Sequence, residues 1–257
     1  MRRFFLCYIF IVKEHVMSNE ILLVVSLVVT FSAVLVLFYL FREHGLYLWT
    51  IVATIAANIE VLILVNAFHM EMTLGNILFA STFLVTDILS ELYGKKQAQL
   101  AVYLGIATSV CFILISQSWM LYEPSENDFV MPSIKTIFSN TPRTMLVSIA
   151  VYVIVQLFDV WMYHKWWDFT TKKFGDKDRF LWLRNNGSTL LSQLLNDVLF
   201  TFGSFVGLYD FETLISIVLS SYVIYIVTSL ADTPFVYLAR RIARNTESRS
   251  SQCKIRS

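Results

Sequence analysis

Seven apolar runs, most of them near 20 residues long, constrain what this chain can fold into. A helix of about 20 apolar residues matches the roughly 30 Å hydrocarbon core of a bilayer. The chain of 257 residues is 56% hydrophobic and 15% charged, whereas about 25% of residues are charged in typical soluble domains. The sequence therefore predicts an all-α, polytopic membrane protein. The predicted spanning helices are 21–41, 46–66, 74–92, 97–121, 143–163, 187–208 and 212–239.

Basic residues are concentrated in alternate connections between these helices. They occur at 95–96, through 165–184 and in the tail 240–257, whereas 68–73 and 209–212 contain no Lys or Arg. Basic connections of a membrane protein lie on the cytoplasmic side. With seven helices, the pattern predicts an outside N-terminus and a cytoplasmic C-terminus.

The segment 1–20 precedes the first predicted helix. Its apolar part is too short to span a bilayer, and no small-residue cleavage site of a signal peptide follows it. An outside N-terminus favours a start at Met17 over a start at Met1. The longer form would place Arg2, Arg3 and Lys13 outside.

Two connections are long enough to carry structure of their own. The segment 123–142 contains three prolines and mixed charge, so we predict an external loop with a short interfacial segment at 134–138. The segment 165–184 mixes Trp and Phe with Lys. That composition suits the cytoplasmic headgroup region, and we predict a loop there.

Carboxylates and amides recur inside the predicted helices, where they are costly to bury and are functional candidates. A helix places Asp87 and Glu91, four residues apart, on one face. Carboxylates and amides would together bind a planar solute rich in N–H donors, such as a purine-like base. A structural role, through helix-joining hydrogen bonds or ion pairs, stays open for each. The candidate site residues are Asn58, Asp87, Glu91, Gln156, Asp159, Gln193, Asn196, Asp197 and Asp232.

Several classes of protein are disfavoured by motifs that the sequence lacks. It has no G-x-x-x-x-G-K-[ST] motif for ATP hydrolysis and no C-x-x-C pair for a thiolate metal site. Its net charge of +1 does not suggest a nucleic-acid partner. Asp159 and Asp197 could suit an intramembrane aspartyl protease, but the G-x-G-D pattern of those enzymes is absent. We predict no enzymatic activity, no cofactor and no metal.

The segment 80–96, ASTFLVTDILSELYGKK, resembles the signature of the queuosine precursor transporter family, also called the vitamin uptake transporter family. It carries F-L-x-T-D-x-x-x-E-x-Y-G-K-K in order. The segment 183–199 is similar to a second signature, S-T-L followed by S-Q-x-x-D-T. There Asn196 stands in place of the Asp, and Asp197 follows in place of the Thr.

Two shorter segments extend the resemblance. QLFDV at 156–160 is similar to the Q-x-x-D-V of the family, and 232–234 is similar to its D-T-P. Asn58 matches an Asn of the first core helix. The resemblance implies a six-helix transporter core at 46–239, similar to the substrate-binding subunits of ECF importers. The helix 21–41 would then be an extra N-terminal transmembrane helix.

The resemblance also implies a function. Such a carrier would import queuosine precursors, the 7-deazaguanines preQ0 and preQ1, across the cell inner membrane. Its partners would be a purine-like small molecule and the lipid bilayer, with a homo-oligomer or an energising module as further partners. The alternative left open is a binding subunit of an ECF-type importer that needs a separate ATPase module.

The predicted topology can be tested by cysteine labelling. In a background without native cysteines, a Cys at Asn127 should react with an impermeant reagent added outside whole cells, because 123–142 is predicted to be external. A Cys at Lys177 should react only after permeabilisation. The reverse labelling pattern would contradict the orientation.

Overall fold

The computed structural model describes residues 18–61, 63–68, 70–138, 142–175 and 180–256. The segment 1–17 lies outside the described residues, so the choice between Met1 and Met17 stays a prediction. Within the described residues the chain forms eight helices and one β-hairpin. They are α1 (Asn19–Phe41), α2 (Glu43–Glu60), β1 (Leu64–Ala67), β2 (Met70–Thr73), α3 (Asn76–Leu92), α4 (Lys95–Trp119), α5 (Met131–Phe138), α6 (Pro142–Phe174), α7 (Leu181–Phe205) and α8 (Phe211–Arg256).

Four helical segments of the described chain are long and apolar enough to cross a membrane. Large apolar side chains on these segments are exposed in the bundle, among them Leu114 at 66% and Val227 at 59%. Soluble proteins rarely expose extended apolar surfaces of this kind. The fold is therefore that of a multi-pass membrane protein. The four segments are Asn19–Phe41, Lys95–Trp119, Leu146–Phe174 and Phe211–Asn245.

Helix α3 lies at the centre of the bundle and packs against α1, α2, α4, α6 and α8. Every residue from Ala80 to Ser90 is buried, including the polar side chains of Thr86 and Asp87. A helix buried on all sides is normally apolar all round. The polar groups of α3 must therefore find partners on neighbouring helices. The helix ends before Gly94, whose φ of +87° is a conformation that favours glycine.

The predicted second helix, 46–66, is wrong at its end, because α2 stops at Glu60 and 64–67 forms a strand. An apolar run of this length is compatible with a strand or a helix end, and periodicity does not separate the two. The all-α prediction is therefore wrong for this hairpin. The hairpin is anchored to α1, where Asn19 donates to the carbonyl of Asn66 at 2.8 Å. The antiparallel pairs are Leu64 with Thr73, Val65 with Met72, Asn66 with Glu71, and Ala67 with Met70.

The prediction of a loop over 165–184 is also wrong. Helix α6 continues to Phe174, and α7 begins at Leu181. Tyr163 and Thr170, seven residues apart, are fully buried, so one face of this region packs into the bundle as an amphipathic helix does. Aromatic and basic composition concealed that spacing.

Two remaining predictions concern the segment 134–138 and the last helix. The segment 134–138 is helical and belongs to α5, and its interfacial position stays a prediction. The predicted end of the last helix at 239 is wrong, because α8 continues without a break to Arg256. The sequence 240–256 contains no Gly or Pro, the residues that most strongly end a helix.

Gly45 allows α2 to approach α1 closely, and this contact generates a stability prediction. A Cβ at position 45 would clash with the backbone carbonyl of Leu37. Gly45→Ala should therefore lower the thermal unfolding midpoint of the detergent-solubilised protein, at an overpacking cost of about 1–3 kcal/mol. Val29→Ala, at a position that is 51% exposed, should leave the midpoint nearly unchanged. Equal midpoints for the two variants would contradict the close packing.

Candidate functional site

A cavity of about 340 Å³ opens inside one half of the bundle. Helices α2 and α7 line it with residues near their C-terminal ends, and α3, α6 and α8 line it with residues nearer their N-terminal ends. All of these ends lie away from the basic segments 95–96 and 165–184. The volume is within the range of about 300–1,000 Å³ that is typical of small-molecule sites.

Three of the predicted site residues line this cavity: Asn58, Asn196 and Asp197. The side-chain N–H of Asn58 donates to the carbonyl of Thr54 at 2.7 Å, which leaves its amide oxygen as an acceptor. Asp197 is only 5% exposed, and its Oδ2 has no hydrogen-bond partner among the described residues. The carboxylate displaced by one position from the family pattern therefore lines this cavity.

Aromatic rings form another part of the cavity lining. Phe79 makes edge-to-face contacts with Tyr152, at 6.3 Å between ring centroids, and with Tyr225, at 6.4 Å. The hydroxyl of Tyr225 donates to Asn76 Oδ1 at 3.2 Å, which fixes its ring. The cavity thus combines flat apolar surfaces with a carboxylate and three amides, those of Asn58, Asn76 and Asn196. Sequence reasoning missed Phe79 and Asn76, because it selected polar residues within single helices and could not see which helix ends converge.

The other six predicted site residues do not line the cavity. Each of them is almost completely buried. Gln156 is linked to the cavity through Thr82, whose hydroxyl accepts a hydrogen bond from Gln156 Nε2 at 2.6 Å. Direct contact of these residues with a ligand stays a prediction. They are Asp87, Glu91, Gln156, Asp159, Gln193 and Asp232.

Beneath the cavity, three buried carboxylates from α3, α6 and α8 lie close enough to interact electrostatically: Asp87, Asp159 and Asp232. Thr189 of α7 donates to Asp87 Oδ2 at 3.0 Å. Asn185 of the same helix donates to Asp232 Oδ1 at 2.6 Å. Helix α7 therefore supplies neutral donors to this layer, and none of the three carboxylates forms an ion pair within the described residues.

Glu91, one turn beyond Asp87, is fully engaged in an ion pair. Arg184 donates from Nε at 3.0 Å and from Nη2 at 2.7 Å to the Glu91 carboxylate. The hydroxyl of Tyr163 donates to the same carboxylate at 2.8 Å, and Arg240 Nε lies 3.7 Å from it. The guanidinium of Arg184 also stacks 4.4 Å above the Trp167 ring. This cluster closes the bundle at the end that carries the basic segments.

Sequence reasoning missed Arg184 as the partner of Glu91. It assigned Arg184 to a cytoplasmic loop, whereas the residue lies in the first turn of α7 and is completely buried. The only sequence signal for this pair was that Arg184 is a basic residue near the predicted cytoplasmic border. Several other Lys and Arg residues share that feature, so it does not single out Arg184. No group of three or more His, Cys, Asp or Glu side chains in the described part of the chain is placed to hold a metal ion.

Similarity to known proteins indicates the family to which this chain belongs. The model of a family described as "Putative vitamin uptake transporter" matches residues 73–239, which include most of the cavity and the whole carboxylate layer. This chain belongs to that family. A protein of Bacillus subtilis (strain 168), named "Probable queuosine precursor transporter", is 34% identical over 231 residues, covering 90% of this chain and 99% of the relative. No solved structure gave a significant match.

The Glu91–Arg184 pair generates a prediction about stability. Removing one member leaves the other charge buried and unpaired, which costs about 3–5 kcal/mol in soluble proteins. Arg184→Met and Glu91→Gln should each lower the thermal midpoint strongly, and the double variant should recover part of the loss. Arg241→Met, at an exposed position next to Arg240, serves as the control. If the decrease in thermal midpoint of the double variant equals the sum of the two single decreases, direct pairing of Glu91 with Arg184 is contradicted.

Proposed function

We propose that this protein is a carrier that imports queuosine precursors, 7-deazaguanines such as preQ0 and preQ1, across the cytoplasmic membrane. The observation that carries the proposal is the placement of Asp197, Asn58 and Asn196 around a cavity that also has aromatic walls. The name of the Bacillus subtilis relative supports the same substrate class. The chain would act as a transporter and not as an enzyme.

The cavity offers a chemical match to a deazaguanine base. The edge of such a base presents N–H donors side by side, and a carboxylate such as Asp197 can accept two of them. The amides of Asn58 and Asn196 can pair with the remaining donors and acceptors. Phe79, Tyr152 or Tyr225 would supply a flat surface against the ring system.

The buried carboxylates and amides have a different place in this proposal. Gln156 would fix Thr82 at the floor of the cavity, since it donates to that hydroxyl. Asp87, Asp159, Gln193 and Asp232 would contact the substrate only after it has moved past this floor. Glu91, held by Arg184, would belong to the barrier on the far side of the pathway.

The orientation of the carrier follows from the positive-inside rule. We propose seven spanning helices, with the N-terminus outside and the C-terminal part of α8 in the cytoplasm of a cell whose inner membrane holds the protein. The cavity would then face outward, and the Glu91–Arg184 cluster would close the cytoplasmic end. Helices α2 to α4 and α6 to α8 would form a six-helix core, to which α1 is added.

A second candidate is a substrate-binding subunit of an ECF-type importer, for which a separate module would hydrolyse ATP. The resemblance of a six-helix core favours this candidate, and a homo-oligomer is compatible with both candidates. Purified protein alone in proteoliposomes separates the two. Uptake of labelled preQ1 into these vesicles without ATP supports the autonomous carrier, whereas binding without uptake supports the ECF-type subunit.

The substrate proposal predicts the effect of a single change in the cavity. Asp197→Asn replaces one acceptor oxygen by an NH2 group that faces the donors of the base. Such a mismatch costs about 1–3 kcal/mol, equivalent to roughly ten- to hundredfold in affinity. Binding of preQ1 and preQ0 to the purified variant, measured by calorimetry, should show this loss. Asp210→Asn, the same change at an exposed position outside the cavity, should bind like the parent.

A cellular experiment tests the complete function. A bacterial strain that can neither make queuosine precursors nor import them should regain queuosine in its tRNA when it expresses this protein and receives a low concentration of preQ0 or preQ1. The Asp197→Asn variant should need a higher concentration, and the Asp210→Asn variant should not. Absence of queuosine despite normal amounts of the protein in the membrane would contradict the proposal.

A further inference from the structure

Asn76, the first residue of α3, is oriented by two hydroxyl groups from other elements of the fold. Thr73, at the end of β2, donates to Asn76 Oδ1 at 2.8 Å, and Tyr225 of α8 donates to the same oxygen at 3.2 Å. An amide oxygen has two lone pairs, so these two hydrogen bonds fill its acceptor capacity. The NH2 group of Asn76 is the part of the side chain that remains for another partner.

This NH2 group is accessible from the cavity. It donates to no acceptor within the described part of the chain, and it is not sealed off from solvent as Asp197 Oδ2 is. Asn76 also borders a second cavity between α1, the hairpin and α8, but only apolar atoms form the exposed surface there. The N–H groups of Asn76 therefore point into the cavity that Asn76 and Asp197 both line.

A donor and an acceptor without partners thus lie close to the same tyrosine. Asp197 is near enough to Tyr225 to interact with it electrostatically. The hydroxyl of Tyr225 gives its hydrogen to Asn76, so Asp197 Oδ2 keeps its full acceptor capacity. This wall of the cavity therefore offers a carboxylate oxygen and an amide N–H to one ligand.

We propose that Asn76 donates a hydrogen bond to the 6-carbonyl oxygen of a 7-deazaguanine and thereby selects 6-oxo bases over 6-amino bases. This inference rests on the proposed function. The Watson–Crick edge of a guanine-type base presents one acceptor, the oxygen at position 6, beside two N–H donors. Asn76 supplies the donor and Asp197 supplies the acceptor that this edge requires.

An adenine-type base would meet the same two side chains with the wrong groups. Its 6-amino group would face the NH2 group of Asn76, and its ring nitrogen, an acceptor, would face the carboxylate of Asp197. Sites that hydrogen-bond their ligand reject an analogue that lacks the matching group far more strongly than apolar pockets do. Thr73 and Tyr225 oppose rotation of the amide, which would otherwise offer its oxygen to the 6-amino group.

Binding of analogues to the purified full-length protein tests the contact without any substitution. The 6-thio analogue of preQ1 keeps both N–H donors of the edge but carries sulfur, a weaker acceptor, in place of the carbonyl oxygen. In calorimetry it should bind about tenfold more weakly than preQ1, and the 6-amino analogue about a hundredfold more weakly. Equal affinities of preQ1 and the 6-thio analogue would overturn the proposal.

A variant assigns the preference to Asn76. Asn76→Asp keeps an acceptor oxygen for Thr73 and Tyr225 but replaces the NH2 group by a second oxygen. The preference for preQ1 over the 6-thio analogue should therefore disappear. The control is Asn58→Asp, which places the same charge in the same cavity and should retain the preference whatever its effect on affinity. A preference that survives in Asn76→Asp would contradict the contact.

A second variant tests the positioning of the amide. Tyr225→Phe removes one of the two hydroxyls that orient Asn76 and should reduce the preference for preQ1 over the 6-thio analogue without abolishing binding. If Asn76→Asp does not fold, as judged by its thermal unfolding, an unchanged preference in Tyr225→Phe would contradict the proposal.

The same measurements separate this inference from the proposed function. If preQ1 binds and its preference over the 6-thio analogue does not depend on Asn76, the carrier proposal stands and the inference fails. If the parent protein prefers the 6-amino analogue, both fail. If guanine binds but preQ1 does not, the substrate proposal fails, and loss of the preference for guanine over 6-thioguanine in Asn76→Asp upholds the inference.

Discussion

The charge of Glu91 can be buried at the end of α3 because Arg184 reaches it from α7 in a two-pronged contact. Both side chains are almost fully buried, and each would be costly to bury alone. Tyr163 of α6 donates to the same carboxylate, and Arg240 approaches it from α8. Four helices thus converge on one carboxylate. The packing of the bundle end that carries the basic segments depends on this cluster, and the open cavity lies at the opposite end.

Polar groups on α3 are arranged in layers along its length. Thr82 lies at the cavity, Thr86 and Asp87 lie one turn further at the carboxylate layer, and Glu91 lies one turn beyond in the ion pair. Each layer finds its partners on α6 or α7. Helix α7 pairs with α8 as well, where Asn186 donates to Thr233 at 2.6 Å. Specific hydrogen bonds therefore supplement apolar packing inside the bundle, which is the arrangement expected where lipid surrounds the helices.

Much of the fold could be predicted from hydrophobic run length alone, because that signal depends on bilayer thickness and not on packing. The starts of α3 and α6 followed from apolar runs and prolines. The hairpin at 64–73 could not be separated from a helix end, because its apolar residues fit either structure. The extension of α6 to Phe174 was missed because Trp and Lys suggested an interfacial loop, although Tyr163 and Thr170 keep helical spacing.

The candidate site, like the fold, could be predicted from the sequence only in part. Polar residues at membrane depth were found one by one from the cost of burying them, and this reasoning included Asp197 and Asn58. Sequence spacing within one helix says nothing about depth relative to another helix. It therefore could not tell that Asp197 and Asn58 meet at the cavity whereas Asp87 and Glu91 lie beneath it. The pairing of Glu91 with Arg184, 93 residues apart, required the relative positions of α3 and α7.

The layered arrangement constrains how a carrier of the proposed kind can work. A substrate in the cavity must pass the Thr82–Gln156 contact, the carboxylates and finally the Glu91–Arg184 cluster to reach the other side. All three layers include residues of α3, and moving that helix would disrupt the buried contacts of residues 80–90. The simpler movement displaces α6 and α7 relative to α3, since these helices supply Gln156, Thr189 and Arg184 as partners. A ligand bound between α3 and α7 would then influence both ends of the pathway.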